Sequence, residues 1–269
     1  MKNAITAWKW SLGVVARSYR TVVVLAVLVA LWGLAAYEWL GMPAESSALL
    51  MIFSSLWAIA QILATAVIVG GTLASAGETA ANGERSLHPR ALWTLGRKML
   101  GTTLAFFAAS LVLVWFCNSA INWVNVHSVE VASFLTFHSQ KPVSHELIEV
   151  VLGGADWLVW TIVSGFLITM FIAVVGAGWG QAGKQMAKIL ASCTFRTPFL
   201  TSFMSVVVFG ELIYKLANWH PIVPPGFWDY TQLIFRFSLA LLVLSAGLLF
   251  WLLALARLYR PKQEISQAG

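Results

Sequence analysis

The chain has 269 residues, of which 59% are hydrophobic and only 10% charged, with a formal charge of +6 and a mean hydropathy of +0.79. A soluble domain carries about 25% charged residues, so this composition excludes an ordinary soluble fold and makes the bilayer the relevant solvent. The excess of cations suggests either nucleic acid or an anionic surface, and their placement along the chain speaks against nucleic acid.

The first twenty residues are amphipathic: Ile5, Trp8, Leu12 and Val15 recur at helical spacing, with Lys9 and Arg20 on another face. A helix of this kind either lies in the membrane interface or forms a simple cytoplasmic anchor. The first long apolar run covers 21–40. Its basic lead-in is too long, and the run exceeds the roughly 7–15 residues of a signal peptide core. Leu34-Ala35-Ala36 is also a poor cleavage site, so a retained helix is expected. The second run covers 49–74 and is followed by a polar loop, 77–98. In that loop Asn82-Gly83 forms a turn and Pro89 suits the first turn of a short helix. Leu92, Leu95 and Met99 would line one face of it, and Arg90, Thr94 and Arg97 the other.

The third run, 99–124, leads into a polar loop, 125–146, with an apolar insert at 129–137. The fourth is 157–177, followed by a second basic loop, 178–198, in which Lys184 and Lys188 lie one turn apart. Thr197-Pro198 reads as the cap and first residue of the fifth run, 198–216. The loop 219–228 is dense in Pro and aromatics: its prolines forbid a continuous helix and its Trp and Phe suit the headgroup layer. The sixth run is 237–256. Each run must be helical, because an unpaired amide in lipid costs several kcal/mol. A β-barrel is excluded by pattern, since its strands alternate over about ten residues.

With the hydrophilic segments numbered alternately from the inside, the inner set holds Lys2, Lys9, Arg17, Arg20, Arg85, Arg90, Arg97, Lys98, Lys184, Lys188, Arg196, Arg257, Arg260 and Lys262. The outer set keeps only Lys141, Lys215 and Arg236. This is the positive-inside asymmetry. The expected fold is therefore all-α: a polytopic protein of the plasma (inner) membrane with six transmembrane helices and both termini cytoplasmic. Residues 1–20 form an interfacial segment, 21–258 a single membrane domain and 259–269 a short tail. Cys117 and Cys193 fall on opposite sides, so no disulfide is expected, and no internal repeat is evident.

Membrane-depth polarity gathers towards the outer side at Asn118, Asn122, Asp156, Glu211, Lys215 and Arg236, with Gln61 near mid-span. Ionisable groups at such depth often mark a pathway, which suggests an outward-facing polar crevice between the third, fourth and fifth spans. The alternative is interfacial snorkelling by Lys215 and Arg236, with the amides as interhelical glue. His127, His138 and His145 share the 125–146 loop, and His145 with Glu149 could form part of a zinc site. Metal spacing motifs are missing, so no metal and no cofactor is expected. Gly70-Gly71 and Gly153-Gly154 read as close helix packing and flexible helix ends. Most of the fourteen tryptophans map to span ends, while Trp57, Trp115 and Trp251 lie deeper.

One stretch supports a resemblance. Glu84-Arg85, the short amphipathic helix, and Leu95-Gly96-Arg97-Lys98 entering the third span resemble the first cytoplasmic loop of ABC-2-type permeases. That family also has six helices and an amphipathic N-terminus, and its loop couples to a separate ATPase subunit. The chain is likewise similar to six-helix bacterial membrane proteins of unknown function. The resemblance implies a non-enzymatic, permease-like subunit for a hydrophobic or amphiphilic solute, with Glu84, Arg85, Arg90, Arg97 and Lys98 meeting the ATPase. The other expectation is an accessory subunit of a larger membrane complex with no substrate of its own. In both cases the partners are the lipid bilayer and other protein subunits, not nucleic acid.

Overall fold

The computed structural model describes residues 2–41, 48–140, 143–219 and 227–259. The 219–228 loop apart from its ends, Lys141, Arg260, Lys262 and the rest of the C-terminal tail lie outside them, as does the His145 side chain. The described residues contain no strand and form α1 (Lys2–Arg17), α2 (Tyr19–Leu40), α3 (Ala48–Asn82), α4 (Pro89–Lys98), α5 (Leu100–Val126), α6 (Ser128–Ser139), α7 (His145–Phe195), α8 (Thr197–Ala217) and α9 (Phe227–Tyr259). Six of them, α2, α3, α5, α7, α8 and α9, are long and apolar enough to cross a membrane.

Several helices outrun their apolar cores. The 35 residues of α3 make a rod of about 52 Å at 1.5 Å per residue, against about 30 Å of hydrocarbon. The extra turns are a packed end, with Ser75, Ala76, Thr79 and Ala80 all buried. In α7 the helix begins twelve residues before the expected span, so Gly153 and Gly154 lie inside it rather than at an end. The helix also continues past Gly178, whose φ of 79° breaks the helical path without ending it. Only glycine takes such a φ without strain, and Gly178 separates the apolar limb from a basic limb, 179–195. The expected loop 178–198 is thus mostly helix, with Ala182, Ile189 and Cys193 buried and Lys184 and Lys188 exposed. The apolar insert at 129–137 is helical too, as α6.

A common plan emerges at one end of the bundle. Three spanning helices are each preceded by a lead-in helix and a short break: α1 breaks at Ser18 before α2, α4 at Met99 before α5, and the basic limb of α7 at Arg196 before α8. Arg196, with extended φ of −129°, is the N-cap of α8, one residue earlier than the sequence suggests. The end carrying these helices is called the lead-in side below, and the opposite end the far side.

The packed core lies at the lead-in side. Phe171, Leu253, Ala76, Val14, Ile189 and Leu87 belong to one buried cluster drawn from α9, α3, α1, both limbs of α7 and the α3–α4 turn. On the far side, α5 leaves Leu111, Val112, Trp115, Phe116 and Trp123 exposed. There the bundle is held by indoles: Trp39 Nε1 donates to Ser54 Oγ at 3.0 Å and Trp57 Nε1 to the Ala35 carbonyl at 3.1 Å, tying α2 to α3.

The helix α1 forms, with Trp8 and Val15 of the expected apolar stripe half-buried. Ala4, Ala7, Ser11, Val14 and Ser18 are the buried row, while Ile5 and Leu12 are 44% and 54% exposed. This row lies against α9, with Trp10 and Val15 packed on the core beside it, while Ile5 and Leu12 face outward.

Candidate functional site

The polar residues expected to line an outer crevice do not form one cluster. Asn118 and Asn122 are exposed on α5, and α5 makes no contact with α8 among the described residues. On α8, Glu211 and Lys215 form the expected pair at 3.8 Å, 61% and 75% exposed. Asp156 is half-buried on α7, with Oδ1 shielded and without a hydrogen-bond partner. Thr161, one turn on, donates back to the Trp157 carbonyl at 2.9 Å. Arg236 does not snorkel. It is 6% exposed, and its guanidinium donates from Nε to the Leu216 carbonyl at 3.3 Å and from Nη2 to the Ala217 carbonyl. It closes the last turn of α8, where unpaired carbonyls attract a cation.

The loop 84–98 is built as the sequence suggests, and more firmly attached. Gly83 makes the turn with φ of 66°, Pro89 opens α4, and Leu92, Leu95 and Gly96 are buried while Arg85, Arg90, Arg97 and Lys98 are exposed. Asn82 Nδ2 donates to Glu84 Oε1 at 3.2 Å. The approach of α4 to α3 depends on glycine: a Cβ on Gly71 would fall on the Leu92 carbonyl oxygen, and one on Gly96 on the Val67 carbonyl oxygen. Gly70 meets Thr103 of α5 in the same way, so the Gly70-Gly71 pair does serve close packing.

Two hydroxyls that the sequence did not single out fix this loop to the start of α2. Ser18 Oγ accepts from the Leu87 amide at 2.8 Å and donates to the Val14 carbonyl at 2.7 Å. Thr21 Oγ1 donates to the Leu87 carbonyl at 2.8 Å. Both polar groups of one buried peptide are thereby satisfied by the α1–α2 break. Further links close the lead-in side: Trp8 Nε1 to Thr201 Oγ1 at 3.0 Å, Trp251 Nε1 to Ser202 Oγ at 3.0 Å, and Tyr259 OH to Gln185 Oε1 at 2.9 Å. Arg257 donates to the Ala80 carbonyl at 3.3 Å and lies 5.3 Å from the Trp10 ring centre. The signal available in sequence was the run of small polar residues, Ser11, Ser18 and Thr21, on one helical row.

Two cavities lie along α2 and α3, the first beside this hub and the second towards the far side. One, of about 510 Å³, lies between α2, α3 and α4 and is walled by Val24, Leu28, Leu63, Val67, Pro89 and Trp93 among others. The other, of about 550 Å³, lies between α2, α3 and α5 and includes Trp32, Trp39, Gln61 and Phe107. Gln61 Nε2 is shielded there and has no hydrogen-bond partner. His127 and His138 turn back on their own helices, with Nδ1 at 2.7 Å from the Trp123 carbonyl and 3.0 Å from the Phe134 carbonyl. No group of three metal-ligating side chains exists among the described residues. Neither Cys117 nor Cys193 is in a disulfide, and the buried Cys193 thiol donates to Thr169 Oγ1 at 3.8 Å.

By helix length and composition this is a multi-pass helical membrane protein. No family model, no curated protein and no solved structure matches the chain.

Proposed function

We propose that the chain is a non-enzymatic subunit of a plasma (inner) membrane transport system, handling a hydrophobic or amphiphilic solute. The observation that carries this reading is the pair of apolar cavities, of about 510 and 550 Å³, along α2 and α3. Their walls include Leu63, Ile62 and Leu111, which are exposed on the outside of the bundle. A lipophile can enter such slots from the bilayer with little desolvation, and the unpartnered Gln61 amide in the second offers a polar group to an amphiphile.

The lead-in side is the cytoplasmic side in this reading, because it gathers Lys9, Arg17, Arg20, Arg85, Arg90, Arg97, Lys98, Lys184, Lys188, Arg196 and Arg257. The exposed outer face of α1, with Ile5 and Leu12, then rests in the acyl boundary of that leaflet. Of the five residues at which the resemblance to ABC-2-type permeases implies ATPase docking, Glu84, Arg85, Arg90, Arg97 and Lys98, we take Glu84, Arg85 and Lys98 as the contact, because Arg90 and Arg97 flank the cavity residue Trp93. A second reading, an accessory subunit without substrate, is favoured by the exposed wall Leu111, Val112, Trp115 and Phe116 of α5, which a neighbouring membrane subunit would cover.

Purification in mild detergent from the native source, with mass spectrometry of co-purifying proteins, separates the two. A stoichiometric ATPase that is lost on Arg85→Glu with Lys98→Glu supports the transport subunit. An assembly of membrane proteins without an ATPase refutes it in favour of the accessory subunit.

A further inference from the structure

We propose that the cavity between α2, α3 and α4 is a site for one anionic phospholipid, with an acyl chain in the slot and the phosphate held by Arg20, Arg90 and Arg97. The slot itself is apolar. Its one hydroxyl, that of Thr72, donates to the Ile68 carbonyl at 2.6 Å and so asks nothing of an occupant. A chain of methylene groups suits these walls, and a polar solute does not.

The cations follow from helical register. Arg20, Val24 and Leu28 form one i, i+4, i+8 row of α2, so Arg20 stands one turn beyond the wall residues on the same face. Arg20 to Leu28 spans about 12 Å of rise, the reach from a headgroup into the upper acyl region. On α4, Trp93 is a wall residue, and Arg90 and Arg97 flank it at i−3 and i+4. The Arg97 guanidinium lies 5.9 Å from the Trp93 ring centre. All three arginines are exposed, and none meets a carboxylate among the described residues. Arg20 donates only to the neighbouring Tyr19 hydroxyl, at 3.1 Å. Guanidinium groups offer paired donors that fit a phosphate, and basic pockets between membrane helices recruit anionic headgroups.

A lipid is a better occupant than a soluble phosphate compound because the slot continues past the cations into apolar walls. An anionic lipid is better than a zwitterionic one because a headgroup amine would face three unneutralised cations. The site rests on the cytoplasmic placement of the lead-in side, but not on a solute or an ATPase. Labelling of Lys188→Cys from one face of sealed vesicles, in a Cys117→Ala and Cys193→Ala background, tests that placement separately.

The test is lipid retention. The wild-type chain and an Arg20→Gln, Arg90→Gln variant are purified in mild detergent, and bound lipid is counted by native mass spectrometry. The wild type is expected to retain one phosphatidylglycerol or cardiolipin per chain. The double variant is expected to hold it about thirtyfold more weakly, roughly fivefold per arginine. Ala64→Phe, which fills the slot and leaves the arginines, is expected to release the lipid as well. Lys184→Gln with Lys188→Gln, an equal change of charge away from the slot, is expected to retain it. Circular dichroism and size exclusion confirm folding of each variant. Equal loss in the Lys184, Lys188 variant, retention in folded Ala64→Phe, or a wild type holding only phosphatidylethanolamine overturns the proposal.

Discussion

The attachment of Leu87 to the α1–α2 break can be tested by removing its two hydroxyls. Ser18 and Thr21 are 2% and 0% exposed, and Leu87 is 4% exposed. Ser18→Ala leaves the Leu87 amide buried without its acceptor, which costs about 1–3 kcal/mol. It also removes the bond to Val14, but that carbonyl keeps the Ser18 amide at 2.9 Å, so little is added. Thr21→Val conserves shape and strips the donor from the Leu87 carbonyl, at about 1 kcal/mol. The double variant should fall short of the sum, because both substitutions free the same peptide, and sites with a shared partner couple. Thermal unfolding in detergent, followed by tryptophan fluorescence, is expected to shift by about 2–4 °C per kcal/mol. Thr21→Ser keeps the hydroxyl and should recover most of the Thr21→Val loss. If Ser18→Ala unfolds within about 0.5 kcal/mol of wild type, or Thr21→Ser is no better than Thr21→Val, the clamp is not holding the loop.

Glycine contacts give a paired test: Gly71→Ala drives a Cβ onto the Leu92 carbonyl and is expected to cost about 2 kcal/mol or more, whereas Gly77→Ala meets nothing within 4 Å and should gain about 0.5–1 kcal/mol. Matching melting shifts for the two would refute the α3–α4 contact. Gln61→Leu removes a shielded amide that lacks a partner and should raise the melting temperature, by about 1 kcal/mol or more of stability; a drop would mean that the amide is satisfied in the bilayer. Arg236→Met takes the cation from the Leu216 and Ala217 carbonyls, and hydrogen exchange in the last turn of α8 should accelerate about tenfold or more, for a loss of about 1.5–3 kcal/mol. Unchanged exchange there would return Arg236 to the crevice reading.

The spans were legible because lipid imposes one strong rule, a continuous apolar run, and the sequence obeys it in all six. The short helix α4 was legible for a related reason: a Pro start, a Gly turn and a clean division between Leu92, Leu95 and Arg90, Arg97. On α1 an apolar face suited to the acyl boundary was legible, but the row that packs was not, because hydrophobic spacing reports which residues avoid water, and in a bilayer the exposed surface avoids water too. Ile5 and Leu12 are therefore apolar and outward, and the row that packs is small, at Ala4, Ala7 and Ser11. Past Gly178 the one-turn spacing of Lys184 and Lys188 hinted at an amphipathic segment, but its continuity with α7 was hidden, and the structure gives it a buried side at Ile189 and Cys193. The outer crevice was inferred from depth alone. Depth cannot tell which faces meet, and Asn118 on α5 and Glu211 on α8 belong to helices that do not touch.

No sequence repeat announces the three lead-in helices, and one near-repeat explains why. Trp10-Ser11-Leu12-Gly13 in α1 and Trp93-Thr94-Leu95-Gly96 in α4 share a pattern, yet bury opposite members of it. Ser11 is fully buried and Leu12 54% exposed, whereas Leu95 is 9% exposed and Thr94 is on the surface. The difference follows from what each helix lies against: α1 meets α9 through small side chains, and α4 meets α3 through Leu95 and the Gly96–Val67 approach. What recurs is the task. A span that starts at a membrane surface needs its first turn held, and in each case an adjoining helix is fixed to neighbouring helices at that end: α1 to α9, α4 to α3, and the basic limb of α7 to α9 through Tyr259 and Gln185. The buried cluster therefore gathers at the lead-in side, while the far side is tied by the indoles of Trp39 and Trp57 and by Arg236 on the end of α8.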